Sequence, residues 1–121
     1  MPQVPTLYHG TTPESAEALC RDGWRPGAWA MGGNMGQGRY LYLSTVYEDA
    51  LWFAQEKGSD VVVEVWGLEA ADLIVDPEDG TCDTLEEEMS GHMGLPGKVA
   101  LTRAQPAARF SLHVPSPVPG R

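Results

Sequence analysis

The chain has 121 residues, the size of one domain, and at 42% hydrophobic and 21% charged it is too apolar to be a disordered chain. No apolar run approaches the ~18 residues of a membrane-spanning helix, and Met1-Pro2-Gln3-Val4-Pro5 has neither the basic patch nor the apolar stretch of a secretory signal. A cytoplasmic location with no membrane partner is therefore expected. Seventeen Asp and Glu against eight Lys and Arg give a formal charge of −9, which opposes docking on phosphate backbones and disfavours nucleic acid as a partner.

In chain order, Thr6-Leu7-Tyr8 reads as a short strand. Thr12-Pro13 then opens a helix, with a capping hydroxyl followed by proline at the first position. That helix runs to Asp22, places Ala16, Leu19 and Cys20 on one face, and ends at Gly23. Gly23 to Gly38 is a glycine-rich loop carrying Trp24 and Trp29, long enough to suggest a functional lid over a nearby cleft. Arg39 to Leu43 reads as a strand. Thr45-Val46-Tyr47-Glu48 has the spacing of a capping box opening a helix to about Glu56, whose buried stripe is Val46, Ala50, Phe53 and Ala54 and whose terminator is Gly58.

Val61 to Trp66 is the strongest strand signal, and Leu73-Ile74-Val75 is a shorter one. Thr84 to Met89 reads as a turn or two of acidic helix with Glu86, Glu87 and Glu88 on a solvated face. Lys98 to Thr102 and Ala108 to Val114 complete the strands. The order favours an α+β domain over residues 1–114, with 115–121 a frayed Pro/Gly-rich tail. Between Lys57 and Lys98 there is no Lys or Arg and there are eleven carboxylates, either a solvated face or a recognition surface. Cys20 and Cys82 have no CxxC spacing and read as free thiols, and no cluster suggests a metal. His92 and His113 have no motif around them and receive no role.

The candidate chemistry begins with Tyr8-His9-Gly10-Thr11, a histidine on a strand followed by a glycine where backbone can approach a ligand. It continues with Tyr40-Leu41-Tyr42-Leu43-Ser44 and a helix containing Ala50, Trp52 and Ala54. Over residues 6 to 77 this combination resembles the ADP-ribosyltransferase superfamily, and more narrowly the compact bacterial branch that includes the rifamycin ADP-ribosyltransferases. The resemblance implies a split β core with two short helices and a glycine-rich loop around NAD, which serves as a substrate, with no metal. It assigns His9, Tyr42 and Asp76 as the catalytic set, Asp76 through Val75-Asp76-Pro77. His9, Gly10, Thr11, Tyr40, Tyr42, Ser44 and Trp52 are its dinucleotide-binding residues.

Tyr40 competes with Tyr42, because Gly38-Arg39-Tyr40 also resembles the second strand of the poly(ADP-ribose) polymerases and the two tyrosines share strand parity. The polymerases' glutamate would align with Gly97, which argues against their activity. Asp76 to Gly80 is also an ordinary turn sequence, and Glu64, opposite Val61, Val63 and Val65, is either an exposed strand residue or an alternative cleft carboxylate. The expected function is mono-ADP-ribosyl transfer from NAD to a protein or small-molecule acceptor, the latter including antibiotics. Compact members of the fold also act as toxins and phage effectors. The alternatives are an NAD glycohydrolase, an RNA 2′-phosphotransferase of the same fold, and a non-catalytic acidic interaction or inhibitor module.

Overall fold

The computed structural model describes residues 4–27 and 39–113. Most of the glycine-rich loop, with Trp29, and the 115–121 tail lie outside those residues. The fold is α+β, a six-stranded antiparallel sheet with few helices. The elements are β1 (Leu7–Thr11), α1 (Pro13–Asp22), β2 (Leu41–Ser44), α2 (Tyr47–Glu56), β3 (Val61–Val65), β4 (Leu73–Val75), α3 (Leu85–Met89), β5 (Lys98–Leu101) and β6 (Phe110–Leu112). The strand order is β4-β5-β2-β1-β3-β6, with every neighbouring pair antiparallel. Among the described residues no helix is long and apolar enough to cross a membrane.

Strand alternation divides the sheet into two faces. Leu7, Leu41, Leu43, Val63, Val65, Leu73, Val99, Leu101 and Phe110 form a buried face, covered by Ala16 and Leu19 of α1 and by Leu85 and Met89 of α3. Helix α1 forms as its sequence dictates: the Thr12 hydroxyl accepts from the Ser15 N–H, Pro13 starts the helix, and Gly23 stops it at φ 77°. The opposite face carries Tyr8, Gly10, Tyr42, Ser44, Val62, Glu64, Lys98 and Ala100, and α2 crosses it over β1 and β3.

The start of α2 departs from the expected capping box. Val46 is its N-cap and makes no side-chain capping bond, while the Ser44 hydroxyl accepts from the Val46 N–H. Thr45 instead receives the N–H of Gly97 at 2.8 Å and donates its own N–H to the Gly97 carbonyl, fixing the start of β5. A bond across 52 residues won over the local one. Trp24 also differs from expectation. It is 2% exposed in the main core and bridged to Gln105, so it is a packing residue and not a lid contact.

Gly10 sets how closely α2 approaches the sheet. A Cβ there would overlap the Ala50 carbonyl oxygen and crowd the Ala54 nitrogen, both main-chain atoms that cannot rotate away. Gly10→Ala is therefore expected to destabilise the fold by about 3 kcal/mol in equilibrium urea unfolding. Gly58→Ala, at φ 76° with open space around it, should cost only about 1–2 kcal/mol. Equal losses would show that α2 shifts freely over β1.

Candidate functional site

The site is built where two strands part. β1 pairs with β3 along its whole length, from Leu7↔Val65 to Thr11↔Val61, but its register with β2 is the single pair Tyr8↔Ser44. Hydrogen-bond directions on either side define what faces the gap. Val62 accepts the His113 N–H, so its main-chain groups face β6, and its partner Gly10 turns its own groups away from β3 towards β2. The Lys98 carbonyl accepts from Asp76 and the Thr102 N–H donates to Asp72, so Ala100 between them faces β4. Its partner Tyr42 consequently faces β1.

Gly10 and Tyr42 would thus be the next bonded pair of a continuous ladder, and their carbonyls are satisfied by side chains instead. His9 Nδ1–H donates to the Tyr42 carbonyl at 2.7 Å, and Lys57 Nζ donates to the Gly10 carbonyl at 2.9 Å. The N–H groups of Gly10 and Tyr42 face the gap with no ladder partner. Gly10 therefore presents its N–H to the gap, while its carbonyl is held by Lys57, a residue the sequence reading passed over.

Burial, followed by the charge of Lys57, lowers the His9 pKa to about 4 despite the opposing Tyr42 bond. The imidazole is neutral near pH 7 with Nδ1 protonated, which leaves Nε2 as an acceptor for a hydroxyl. Burial also lowers the Lys57 ammonium. The Tyr42 phenol is pushed up, first by burial and then by the nearby Glu78 and Asp76 carboxylates. Tyr42 thus joins His9 on one side to the acidic turn after β4 on the other. Tyr40 precedes β2, with its ring 6.1 Å from that of Tyr42.

Asp76 is 6% exposed, and its Oδ1 accepts the N–H groups of Glu78 at 2.7 Å and Asp79 at 3.0 Å. The carboxylate therefore closes its own turn while standing near the Tyr42 phenol. Glu78 is exposed and lies near the same phenol, a neighbour that no motif marked. Thr11 is buried in the β1–β3 ladder, and the Ser44 hydroxyl is engaged with Val46. Trp52 is 54% exposed, edge-on to Phe53, and is not brought to His9 and Tyr42. An open groove at the end of α1, lined by Asp22, Trp24 and Gln105, contains none of the candidate residues.

Two acidic readings change. Glu88, expected on a solvated face, is 2% exposed: Oε1 accepts the N–H groups of Thr81 and Cys82, and Oε2 that of Lys98. These bonds hold its pKa below the ordinary glutamate value against the upward pull of burial, and they fasten the acidic turn to β5. Glu64 is half-buried and bonded to His113 Nδ1, with Tyr8 and Tyr47 around the His113 ring. Gly97 cannot accept the polymerases' glutamate, because a Cβ there would strike the Glu88 carbonyl. Among the described residues no group of three or more His, Cys, Asp or Glu could hold a metal ion. No protein-family model matches the chain, and a search of curated proteins gives no match.

Two pH slopes follow. Folded His9 takes up its proton near pH 4 and unfolded histidine near 6.5, so stability falls as pH drops from about 6.5 towards 4. Glu88, with its pKa lowered on folding, contributes fully above the unfolded value of about 4.3 and loses that contribution as pH falls through its folded value. Urea unfolding across pH should show the upper slope disappear in His9→Asn and the lower one in Glu88→Gln. Unchanged slopes would mean that other groups govern acid sensitivity.

Proposed function

We propose that the chain is an NAD-dependent mono-ADP-ribosyltransferase with an ADP-ribosyltransferase-like split β core, acting on a protein or small-molecule acceptor with release of nicotinamide. The observation that carries this reading is the parted β1–β2 ladder, with a neutral His9 on one strand bonded to Tyr42 on the other and the Asp76–Glu78 turn beyond. The gap offers main-chain N–H donors at Gly10 and Tyr42, an imidazole acceptor at His9 Nε2, an aromatic ring and a cluster of negative charge. A cationic pyridinium amide joined to ribose hydroxyls is complementary to that set.

In the reaction the bond between the ribose anomeric carbon and the nicotinamide nitrogen breaks, and its electron pair neutralises the ring nitrogen. The acceptor's lone pair forms the new bond at that carbon, and its proton leaves to a carboxylate or water. Positive charge on the sugar peaks in the transition state. Asp76, its orientation fixed by two N–H groups, supplies opposing charge without reorganisation, and the exposed Glu78 carboxylate accepts the proton. Tyr42 stacks on the departing ring, and His9 accepts from a ribose hydroxyl.

Incubation of the full chain with NAD, followed by nicotinamide chromatography and intact-mass analysis of candidate acceptors, tests the reading. A mass gain equal to ADP-ribose on an acceptor supports transfer, and nicotinamide release without any adduct identifies a glycohydrolase. Neither release nor NAD binding would leave a non-catalytic module. Asp76→Asn keeps the oxygen that closes the turn, so stability and NAD affinity should hold while nicotinamide release falls about 10²-fold or more. Asp79→Asn is the charge control, and equal rates in the two variants would remove Asp76 from catalysis. Tyr42→Ala should weaken NAD binding much more than Tyr40→Ala in a titration. The reverse result would move the stacking role to Tyr40.

A further inference from the structure

We propose that Lys57 is the anion-binding residue of the β1–β2 cleft, its ammonium exchanging the Gly10 carbonyl for a phosphate of a diphosphate-bearing nucleotide. This deepens the function proposed above and rests on it.

Four observations support the exchange. The Gly10 carbonyl that Lys57 holds at 2.9 Å is turned into the gap, so the ammonium lies at the cleft and not on a remote surface. Lys57 also acts on the His9 ring, since its charge helps to depress the His9 pKa. Two other cations are committed elsewhere: Lys98 pairs with Asp49 and lies over the Phe53 ring, and Arg21 pairs with Glu17 and Asp22. Opposite charges also stand at different parts of the gap, Lys57 at Gly10 and the Asp76 and Glu78 carboxylates near the Tyr42 phenol.

The chemistry favours the exchange once a phosphate arrives. A carbonyl is a neutral acceptor, whereas a phosphate oxygen makes a doubly charge-assisted bond that is shorter and stronger. Lys57 sits at the C-terminal end of α2 on a flexible four-carbon stem, so its ammonium can move while its backbone stays in place. Its departure releases the Gly10 carbonyl beside the Gly10 N–H, and the cleft then offers an acceptor and a donor to an amide. The ammonium is partnered in both states.

Calorimetric titration of the full chain with ADP-ribose and, separately, with nicotinamide tests the proposal in wild type, Lys57→Met, Lys57→Arg and Arg39→Ala. Lys57→Met should weaken ADP-ribose roughly tenfold or more and flatten its dependence on salt, as expected when a charged hydrogen bond is removed. Nicotinamide affinity should hold or tighten, and Lys57→Arg should keep most of the ADP-ribose affinity. The His9 titration of Lys57→Met, followed by NMR, should move upward and so report an intact fold with the charge gone. ADP-ribose affinity within twofold of wild type in Lys57→Met overturns the proposal, as does a loss confined to Arg39→Ala. Should wild type bind neither ADP-ribose nor NAD, the NAD-dependent reading fails. Inorganic pyrophosphate then tests Lys57 alone: wild-type binding lost in Lys57→Met supports the assignment, and no difference overturns it.

Discussion

The structure depends on a ladder that stops after one pair. Once Tyr8 and Ser44 have met, the main-chain groups of Gly10 and Tyr42 still face each other's strands, and leaving a buried carbonyl without a partner costs about 1–3 kcal/mol. Two side chains remove that cost, His9 at the Tyr42 carbonyl and Lys57 at the Gly10 carbonyl. The separation of the strands and the ionisation of the site are therefore one arrangement. The bond to Tyr42 requires a proton on Nδ1, and burial with the adjacent ammonium keeps Nε2 unprotonated near pH 7. An acceptor is thereby aimed without a second residue to select the tautomer.

The opposite margin is organised by carboxylates acting on backbone. Asp76 closes its turn through two N–H groups, and Glu88 collects three more from Thr81, Cys82 and Lys98. A buried carboxylate is tolerated only when its oxygens are satisfied, and here satisfaction fixes a segment that lacks regular structure. Thr45 and Gly97 add a reciprocal pair of bonds to the same corner. The Asp76 charge beside Tyr42 is consequently held by main-chain N–H groups, while Glu78 on the same turn is exposed. In the transfer proposed above, a carboxylate fixed by backbone suits the developing positive charge and an exposed one suits uptake of a proton.

Much of the fold was legible because its determinants are local. The hydroxyl, proline and glycine around α1 act within one turn, and the apolar runs of β3 and β5 mark them as strands without knowledge of a partner. Strand limits shifted where pairing decides them: β1 extends to Thr11 because Val61 receives it, and β2 starts at Leu41, not at Arg39. The missed features all have distant partners. Thr45 has a good local capping signature and spends its hydroxyl on Gly97, Glu88 looks like its solvated neighbours until Lys98 and Thr81 arrive, and His113 acquires meaning only beside Glu64. His9 and Tyr42 were singled out by a family resemblance, but the bond that joins them was not readable. Lys57 and Glu78 belong to no motif and emerged from topology alone.

Helix α2 explains how a sheet joined by one ladder pair keeps a defined gap. Near its start Asp49 pairs with Lys98 of β5 at 3.2 Å, both side chains largely withdrawn from solvent, so the helix is tied to the half of the sheet that contains β2. In its middle, Ala50 and Ala54 rest on Gly10, and just past its end Lys57 holds the Gly10 carbonyl, so the same helix is tied to the half that contains β1. The small residues permit close approach and the two ammonium groups fix position along the helix axis. A rigid helix anchored to both halves sets their separation more narrowly than the side chains in the gap could. The width of the cleft is therefore written chiefly in α2, in residues that need not touch a ligand, and Lys57 is the member of that set that also faces the gap.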